Sequence, residues 1–419
     1  MADFAGPKET AEMSSPFFVT WRAQRGAKTV QITGGEGAYF ETPEGAVLDL
    51  GGLIYQMNAG HGHRRIINAV KAQADRLCVS LPSADYPEKH ALAEALLAKA
   101  PTGFSKVFFC LGGSDANENA MKIARLFTGR YKTISRYRSY HGATLGAVSM
   151  TGDWRRAAVE PGVVGAVHVT DLDDPNLPSG TQIPRVLELE QNVGAVFLEP
   201  VVGANGVLIP PDGYFAAVRS ACDEHGALLI CDEVLTGFGR TGRFFAFEHF
   251  DVVPDMITCG KALTAGYGVL GAVLVHERVA THFDDHVLAT GLTHYAHPLG
   301  VAAALEAMRV YDDEGLVERA AALEGPLSRM LVALEQDVDC VTGHRLVGLL
   351  AGVDLDLAVS KLEPLSAALW RRGVHVHVKG PKQLRREGGA LVLSPPLCIS
   401  EAELAEGVRA IKDALKEIE

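Results

Sequence analysis

Short β-rich runs alternate with helical stretches from residue 107 to residue 275, and this alternation constrains the fold more than any other feature of the sequence. Apolar and β-branched residues dominate six such runs, at 107–111, 133–135, 167–169, 195–198, 228–230 and 270–275. Parallel strands need a crossover connection, which is usually a helix. The pattern therefore predicts an α/β fold with a mainly parallel sheet that is covered by helices on both faces.

The remainder of the chain flanks this region. A chain of 419 residues is longer than one hydrophobic core usually supports, so we expect more than one globular unit. A capping box of Ser400 and Glu403 opens a final helical pattern, and β-like runs between residues 30 and 50 are predicted to turn at Gly34-Gly35. We predict an N-terminal segment (1–70) packed on a small α+β domain (306–419), with a large α/β domain (71–305) between them.

Composition and charge exclude several classes of function. The formal net charge is −12 and no run of Lys or Arg occurs, which disfavours nucleic acid and anionic membrane as partners. The first 15 residues lack the apolar core of a signal peptide, and no apolar run approaches the ~20 residues that span a bilayer. None of the seven cysteines has metal-ligand spacing, so they are predicted to be buried thiols in a reducing compartment. We expect a soluble cytoplasmic protein without a bound metal.

A glycine-rich turn with a serine separates a β-run from a helical pattern near residue 112. The apolar run that ends at Cys110 is followed by Gly112-Gly113-Ser114 and then by an amphipathic pattern. Backbone N–H groups at a helix start, together with the hydroxyl of Ser114, suit a phosphate dianion. Many α/β proteins contain such a turn for steric reasons alone, so this motif does not identify a ligand by itself.

Two ionisable residues are candidates for a chemical role. Asp232 ends the apolar run 227–231, and open sheets place ligands at that end of a strand. This aspartate could cap a helix, bind a metal or pair with a protonated heterocyclic nitrogen. Lys261 lies among small and apolar residues, where desolvation lowers the pKa of an amine and makes it nucleophilic. A lysine that extends to the surface is the simpler alternative.

The segment Ser139-Tyr140-His141-Gly142 follows the run 133–135. An aromatic ring beside a glycine turn can stack on a planar cofactor, or it can be an ordinary core tyrosine. A phosphate cradle, a stacking ring, an acid for a pyridine nitrogen and a lysine for an aldehyde are together what pyridoxal phosphate requires. The four elements therefore predict a pyridoxal-phosphate enzyme in which Lys261 and Asp232 act on the cofactor.

A longer series of motifs follows the order and spacing of one family. The motifs are Glu199-Pro200, Asp232-Glu233-Val234, 237–242, Gly260-Lys261 and Thr293 with His297-Pro298, and Lys261 falls 29 positions after Asp232. With them the sequence resembles the class III aminotransferases, which have fold type I, over nearly its whole length. The stretch 237–242 also satisfies a dinucleotide-binding pattern, but it follows an acidic element and is interpreted as the family's loop. The resemblance implies that the large domain contains a mainly parallel sheet of seven strands.

The resemblance also implies a role for each matching position. Lys261 would be the Schiff-base lysine and Asp232 the partner of the ring nitrogen. The other cofactor-binding residues would be Gly113 and Ser114 at the phosphate, Tyr140 and Val234 on the two ring faces, and His141 and Glu199 beside them. Thr293 resembles a threonine that reaches the phosphate of a neighbouring subunit. This last match implies a homodimer or a higher homo-oligomer with its active site at the subunit interface.

The substrate-binding positions resemble the ω-aminotransferase branch, which acts on amines, taurine or β-alanine with pyruvate. The ornithine and γ-aminobutyrate branches have a glutamate where this chain has Ala204, and many relatives have a glutamine at the position of Leu235. The ω branch uses a mobile arginine about ten residues before a Pro-Pro-Leu element, a spacing that fits Arg385. Arg386 is the neighbouring alternative, and both could equally be surface residues.

By the same resemblance, Trp21 and Tyr55 would line the substrate pocket. The implied reaction moves an amino group from an amine or ω-amino acid to a keto acid such as pyruvate, whose carboxylate Arg385 would bind. A class III racemase, decarboxylase or aminomutase shares Lys261 and Asp232 and is the alternative. A non-catalytic protein on the same scaffold would have no reason to keep both residues.

Overall fold

The computed structural model describes residues 16–170, 172 and 180–419. Its strands are β1 (Gly34–Glu36), β2 (Tyr39–Thr42), β3 (Gly45–Asp49), β4 (Phe104–Cys110), β5 (Lys132–Arg136), β6 (Ala166–Val169), β7 (Val193–Leu198), β8 (Leu228–Asp232), β9 (Met256–Cys259), β10 (Gly271–His276), β11 (Val341–Val347), β12 (Leu350–Leu355), β13 (Val374–His375), β14 (His377–Lys379) and β15 (Gly389–Leu393). Its α-helices are α1 (Gly52–Tyr55), α2 (Arg64–Arg76), α3 (Pro87–Lys99), α4 (Gly113–Thr128), α5 (Leu145–Met150), α6 (Trp154–Ala157), α7 (Gln182–Leu189), α8 (Tyr214–His225), α9 (Glu277–Ala280), α10 (His282–Asp285), α11 (Pro298–Asp313), α12 (Leu316–Asp337), α13 (Val359–Arg371), α14 (Pro381–Leu384) and α15 (Glu401–Ile418).

The central sheet has seven strands in the order β4-β10-β9-β8-β7-β5-β6. The five strands from β9 to β6 are parallel, and β10 runs antiparallel to both of its neighbours. The predicted mainly parallel seven-stranded sheet is thus confirmed. Strand β9 is a fully buried run of only four residues, which the alternation of runs in the sequence does not predict. No α-helix crosses over between β9 and β10, which is why the chain returns antiparallel.

The parallel strands bring residues that are distant in sequence to one edge of the sheet. Glu199 and Asp232 stand at the carboxyl ends of β7 and β8, and Lys261 follows β9. Because β4 and β9 both run antiparallel to β10, the end of β4 that leads into Gly113 lies at this same edge. Open α/β sheets bind their ligands there.

Two four-stranded sheets stand apart from the central one. One has the order β11-β12-β15-β14, and the other joins β1, β2 and β3 to β13. In the second sheet Leu48 pairs with Val374, so the N-terminal strands lie against the C-terminal part of the chain. Helix α11 runs across the domain boundary predicted at residue 305 without a break. At the start of α15 the predicted capping box is present, with the Oγ of Ser400 accepting from the backbone N–H of Glu403.

The turn predicted at Gly34-Gly35 is wrong, because both residues belong to β1. Gly35 is required there by close packing rather than by a turn. A Cβ atom at this position would come within 2.8 Å of the Cβ of His61 and of the carbonyl oxygen of Tyr39. The chain reverses two residues later, between β1 and β2.

Among the helices of residues 16–170, 172 and 180–419, none is long and apolar enough to cross a membrane. In the same part of the chain, no group of three or more His, Cys, Asp and Glu side chains is arranged to hold a metal ion.

A completely buried guanidinium links the loop after β8 to the two flanking parts of the chain. Arg240 donates from Nη1 to the carbonyl oxygen of Pro395 (2.6 Å) and from Nη2 to Oδ1 of Asn58 (2.7 Å). A longer hydrogen bond joins Nη1 to the carbonyl oxygen of Leu349 (3.3 Å). Burial lowers the pKa of Arg240 to about 10. The side chain therefore stabilises the fold through its hydrogen bonds, against the cost of burying its charge.

Replacing Arg240 with methionine should lower the free energy of unfolding by about 2–4 kcal/mol, because buried acceptors then lose their donor. Urea unfolding at fixed protein concentration measures this loss. Arg243→Met is the matched control, since Arg243 is exposed, and it should change the free energy by less than about 0.5 kcal/mol. Equal effects of the two substitutions would show that the buried hydrogen bonds of Arg240 do not join these parts of the chain.

Candidate active site

Lys261 begins the 3₁₀ turn Lys261–Thr264 directly after β9, with a left-handed backbone φ of 37°. Its Nζ lies 5.9 Å from the ring centre of Tyr55, inside a cavity at the carboxyl edge of the central sheet. Burial lowers the pKa of this amine, and the carboxylates of Asp232 and Glu199 only partly oppose the shift. A lowered pKa leaves more of the lysine neutral and nucleophilic near physiological pH.

Asp232 is a buried carboxylate, 3% exposed, that is held on three sides. Its Oδ2 accepts from the Nδ2 of Asn117 (2.8 Å) and contacts the Nδ1 of His141 (2.7 Å). Its Oδ1 accepts from the backbone N–H of Val234 (3.0 Å). His141 is oriented in turn by Ser135, whose Oγ lies 3.1 Å from its Nε2. These contacts fix the direction of the carboxylate, as pairing with a ring nitrogen requires.

The start of helix α4 forms a small cradle. Helix α4 begins at Gly113 directly after the Leu111-Gly112 turn, and the N–H groups of a first helical turn have no acceptor within the helix. A Cβ atom at Gly113 would lie 2.5 Å from Cγ1 of Val234, so only glycine allows this approach. The Oγ of Ser114 accepts from the backbone N–H of Ala143 and holds the following loop beside the helix start (2.9 Å).

Glu199 connects the loop of Tyr140 to the loop after β7. Its Oε1 accepts from the backbone N–H of Tyr140 and its Oε2 from that of Gly203, both at 3.0 Å. Burial raises the pKa of this carboxyl group. Glu199 therefore positions Tyr140, whose ring lines the same cavity as Lys261.

The cavity has a volume of about 340 Å³ and is lined by parts of the chain that lie far apart in sequence. Trp21 and Tyr55 both line it, and Trp21 meets the ring of Tyr140 edge-on at 6.5 Å. Tyr55 is 4% exposed and lies against the ring of His377, with 4.2 Å between the ring centres. The Ala204 methyl group also faces this space.

Lys261, Tyr140, Trp21 and Tyr55 of the sequence-predicted set line the cavity, whereas Arg385 and Thr293 are exposed and do not. Arg385 is exposed, donates from Nη1 to the carbonyl oxygen of Gly152 (2.8 Å) and lies over the ring of Tyr137. Its neighbour Arg386 pairs with Asp354, with 2.5 Å between Nη2 and Oδ1. Thr293 is exposed in the loop before α11. The roles given to Arg385 and Thr293 stay predictions.

Sequence reasoning missed Arg155, a cation that does line the cavity. It lies in α6, and Asp153 caps that helix by accepting from the backbone N–H of Arg155 (3.0 Å). The sequence Asp153-Trp154-Arg155-Arg156 contains the signal, because an aspartate at an N-cap can also hold an arginine two residues later. It does not indicate which of the two arginines faces inward.

Lys261, Asp232 and the start of α4 match the three functional parts of one cofactor. The amine suits an aldehyde, the fixed carboxylate suits a pyridine nitrogen, and the cradle with Ser114 suits a phosphate group. Oδ1 of Asn117 is also buried without a hydrogen bond in the described part of the chain, so the pocket still has a polar atom to satisfy. The fold and the site define a pyridoxal-phosphate enzyme of fold type I.

Comparison with known proteins identifies the family. The model of the family described as aminotransferase class-III matches residues 22–415, and the chain belongs to that family, which uses pyridoxal phosphate. It is 38% identical to an acetylornithine aminotransferase of Methanopyrus kandleri, over 92% of this chain and 94% of that one. It is 31% identical to an omega-aminotransferase of Caulobacter vibrioides, over all of both chains.

A solved structure extends the similarity to the fold. The taurine:2-oxoglutarate aminotransferase of Bifidobacterium kashiwanohense, in complex with pyridoxal phosphate and glutamate, superposes with a TM-score of 0.88. The two chains are 34% identical, and the match covers 97% of this chain and 96% of that one.

Borohydride treatment of the purified protein should attach the cofactor irreversibly to Lys261, because reduction fixes the bond between its amine and the aldehyde. Peptide mass spectrometry should find the added mass on Lys261 and leave Lys379, which also lines the cavity, unmodified. Lys261→Ala should retain cofactor through the phosphate cradle but turn over negligibly. An adduct on a different lysine would overturn the assignment.

Asp232→Asn should lower the rate about 100-fold or more while the protein still binds the cofactor. A neutral amide cannot keep the pyridine nitrogen protonated, so the developing carbanion loses its stabilising charge. Stopped-flow absorbance of the cofactor during reaction with an amino donor measures the rate, and the bound cofactor content controls for folding. A rate within a few-fold of the parent would exclude the proposed pairing.

Proposed function

We propose that this aminotransferase moves an amino group from an amine or ω-amino acid, of the taurine or β-alanine type, to a keto acid such as pyruvate. One observation carries the proposal. The cavity around Lys261 is lined by two further cations, Arg155 and Lys379, and by no Asp or Glu among the residues described. A cavity with this charge favours a substrate that bears an acid group and disfavours one with a second amino group.

The position of Ala204 supports this choice. Ala204 lies in a small apolar cluster with Tyr55 and Leu235, and a Cβ atom at Gly203 would meet the Leu235 side chain at 2.6 Å. At this position the chain has no carboxylate that could pair with an arginine of the pocket. The relatives support the proposal too, since omega-aminotransferase and taurine aminotransferase activities are named among them.

The residues of the chain divide the reaction between them. When bound, pyridoxal phosphate supplies an electron sink for the carbanion at the substrate carbon. The amine of Lys261 would hold the aldehyde of the cofactor and, as a general base, would take up and return the proton of the substrate carbon. Asp232 holds the proton on the ring nitrogen, and the ring of Tyr140 covers one face of the site. The acid group of the substrate lies towards the cationic part of the cavity.

The site is proposed to be completed by a second copy of the chain. Thr293 is exposed in its loop, as expected if it reaches the phosphate bound by a partner subunit. Val269 and Val287 are also strongly exposed, at 71% and 85%, which suits an interface. We propose a homodimer or higher homo-oligomer on these grounds. A cytoplasmic location is proposed because all seven cysteines are free and five of them are buried.

A panel of amino donors tests the proposed function. Taurine, β-alanine and propylamine should each react when pyruvate or 2-oxoglutarate is supplied, and ornithine, which carries a second amino group, should react more slowly. Turnover should stop when the keto acid is left out, because the cofactor then stays in its aminated form. Product formation without a keto acid would instead identify a racemase, decarboxylase or aminomutase. Preference for ornithine over both taurine and β-alanine would also contradict the proposal.

A further inference from the structure

We propose that Arg155, fixed by Asp153, forms with the hydroxyl group of Tyr55 a receptor for the acid group of the substrate. The chemical class that it recognises is a carboxylate or a sulfonate. This inference rests on the proposed function and assigns its substrate recognition to particular residues. Arg155 thereby replaces Arg385, the residue that the sequence favours, as the principal anion-binding residue.

Asp153 holds Arg155 in one orientation. The aspartate is fully buried and accepts from the Nε of Arg155 at both oxygens, at 3.0 and 3.1 Å. It also accepts from Nη2 of the same guanidinium. Asn205 approaches the same carboxylate at 3.5 Å. An arginine held in this way has already lost most of its side-chain freedom, so binding a substrate costs it less conformational entropy.

The pairing with Asp153 leaves part of the guanidinium available. A guanidinium has five N–H donors, and Asp153 engages those of Nε and Nη2 on one side. Nη1 makes no hydrogen bond with any described residue. Arg155 can therefore bind a second acid group through its Nη1 end while it keeps Asp153 on the other side. The side chain is 11% exposed, so this contact would form largely out of water.

The position of Arg155 places this donor beside the reacting groups. Its guanidinium carbon lies 3.7 Å from the ring centre of Tyr140 and 5.4 Å from that of Trp21. It lines the same cavity as Lys261. A substrate that reacts at Lys261 can therefore present its acid group to Arg155 within one cavity.

Tyr55 supplies a second, independent indication of a ligand. Its hydroxyl group is buried and has no hydrogen-bond partner in the described part of the chain. A buried hydroxyl group without a partner is unfavourable, so an acid oxygen that accepts from it would remove this cost. The ring is fixed by the left-handed backbone at Tyr55 (φ 60°) and by His377.

The other cations near the site are less suited to this task. Arg385 is exposed and donates to the carbonyl oxygen of Gly152, so it would have to break that bond and rotate to reach the cavity. Lys379 lines the cavity with its Nζ 5.5 Å from the ring centre of Tyr55. A lysine ammonium attracts an anion as a point charge, but it cannot form the paired hydrogen bonds of a guanidinium.

The test compares two donors that differ only in the acid group, β-alanine and propylamine, in the first half-reaction monitored by cofactor absorbance. Arg155→Ala should lower kcat/KM for β-alanine roughly 10- to 150-fold and leave that for propylamine within about threefold. Tyr55→Phe, which removes only the hydroxyl group, should lower kcat/KM for β-alanine about fivefold. Arg155→Lys should recover part of the loss, because lysine keeps the positive charge but lacks the planar guanidinium that forms paired hydrogen bonds.

Arg156→Ala is the matched control, because Arg156 is the adjacent arginine and pairs with Glu160 outside the cavity. It should leave both donors unaffected. Binding of propionate, an acid without an amine, provides a readout that needs no turnover. Its dissociation constant should rise in Arg155→Ala by the same factor as the loss with β-alanine, and should not change in Arg156→Ala.

Two results would overturn the inference. Equal losses with β-alanine and propylamine would mean that Arg155 only maintains the structure of the site. No loss with β-alanine and unchanged propionate binding would assign the acid group to another residue, and Arg385→Ala and Lys379→Ala would then identify it. Failure of the proposed function can be distinguished from failure of this inference. In that case the parent enzyme, with Arg155 in place, would already fail to react with β-alanine and taurine. Propionate binding would still test the receptor in that case.

Discussion

The carboxylate of Asp232 is a negative charge buried at the end of a buried strand, and the arrangement of the site follows from satisfying it. An unpaired charge in such a place is strongly destabilising, so the chain surrounds it with donors from three other segments. Asn117 comes from helix α4, His141 from the loop after β5, and the N–H of Val234 from the turn after β8. The hydrogen bonds that stabilise the buried charge also hold the phosphate cradle and the stacking ring beside Asp232.

Most of the cofactor site could be predicted from the sequence because parallel sheets obey a simple rule. Residues that follow the carboxyl ends of parallel strands meet at one edge, so Glu199 and Asp232 come together once β7 and β8 are recognised, whereas Lys261 is identified by its motif alone. Strand β9 was missed since four residues with a central threonine carry little periodic signal. The antiparallel direction of β10 could not be predicted either. It follows from the absence of an α-helix between β9 and β10, and short apolar runs do not show whether a helix connects them.

The substrate side of the cavity was harder to predict for a physical reason. Its lining comes from residues near the N-terminus, from α6 and from β13 and β14, and their meeting depends on how separate sheets pack. Spacing along the sequence carries no information about that packing. Spacing therefore drew attention to Arg385, whereas Arg155 enters the cavity because Asp153 fixes it at the first turn of a short helix.

The separation of the cofactor side from the substrate side of the cavity affects the substrate specificity of the enzyme. The groups proposed to act on the cofactor lie at the carboxyl edge of the central sheet, where Asp232 and Glu199 make buried hydrogen bonds. On the substrate side, His377 belongs to β14 in one of the smaller sheets, and Trp21 and Tyr55 belong to segments outside the central sheet. A substitution among the flanking residues can change the charge and shape of the cavity without moving Asp232 or Lys261. The chemistry of the cofactor and the choice of substrate can thus vary independently on one fold, and relatives with different substrates are the expected result.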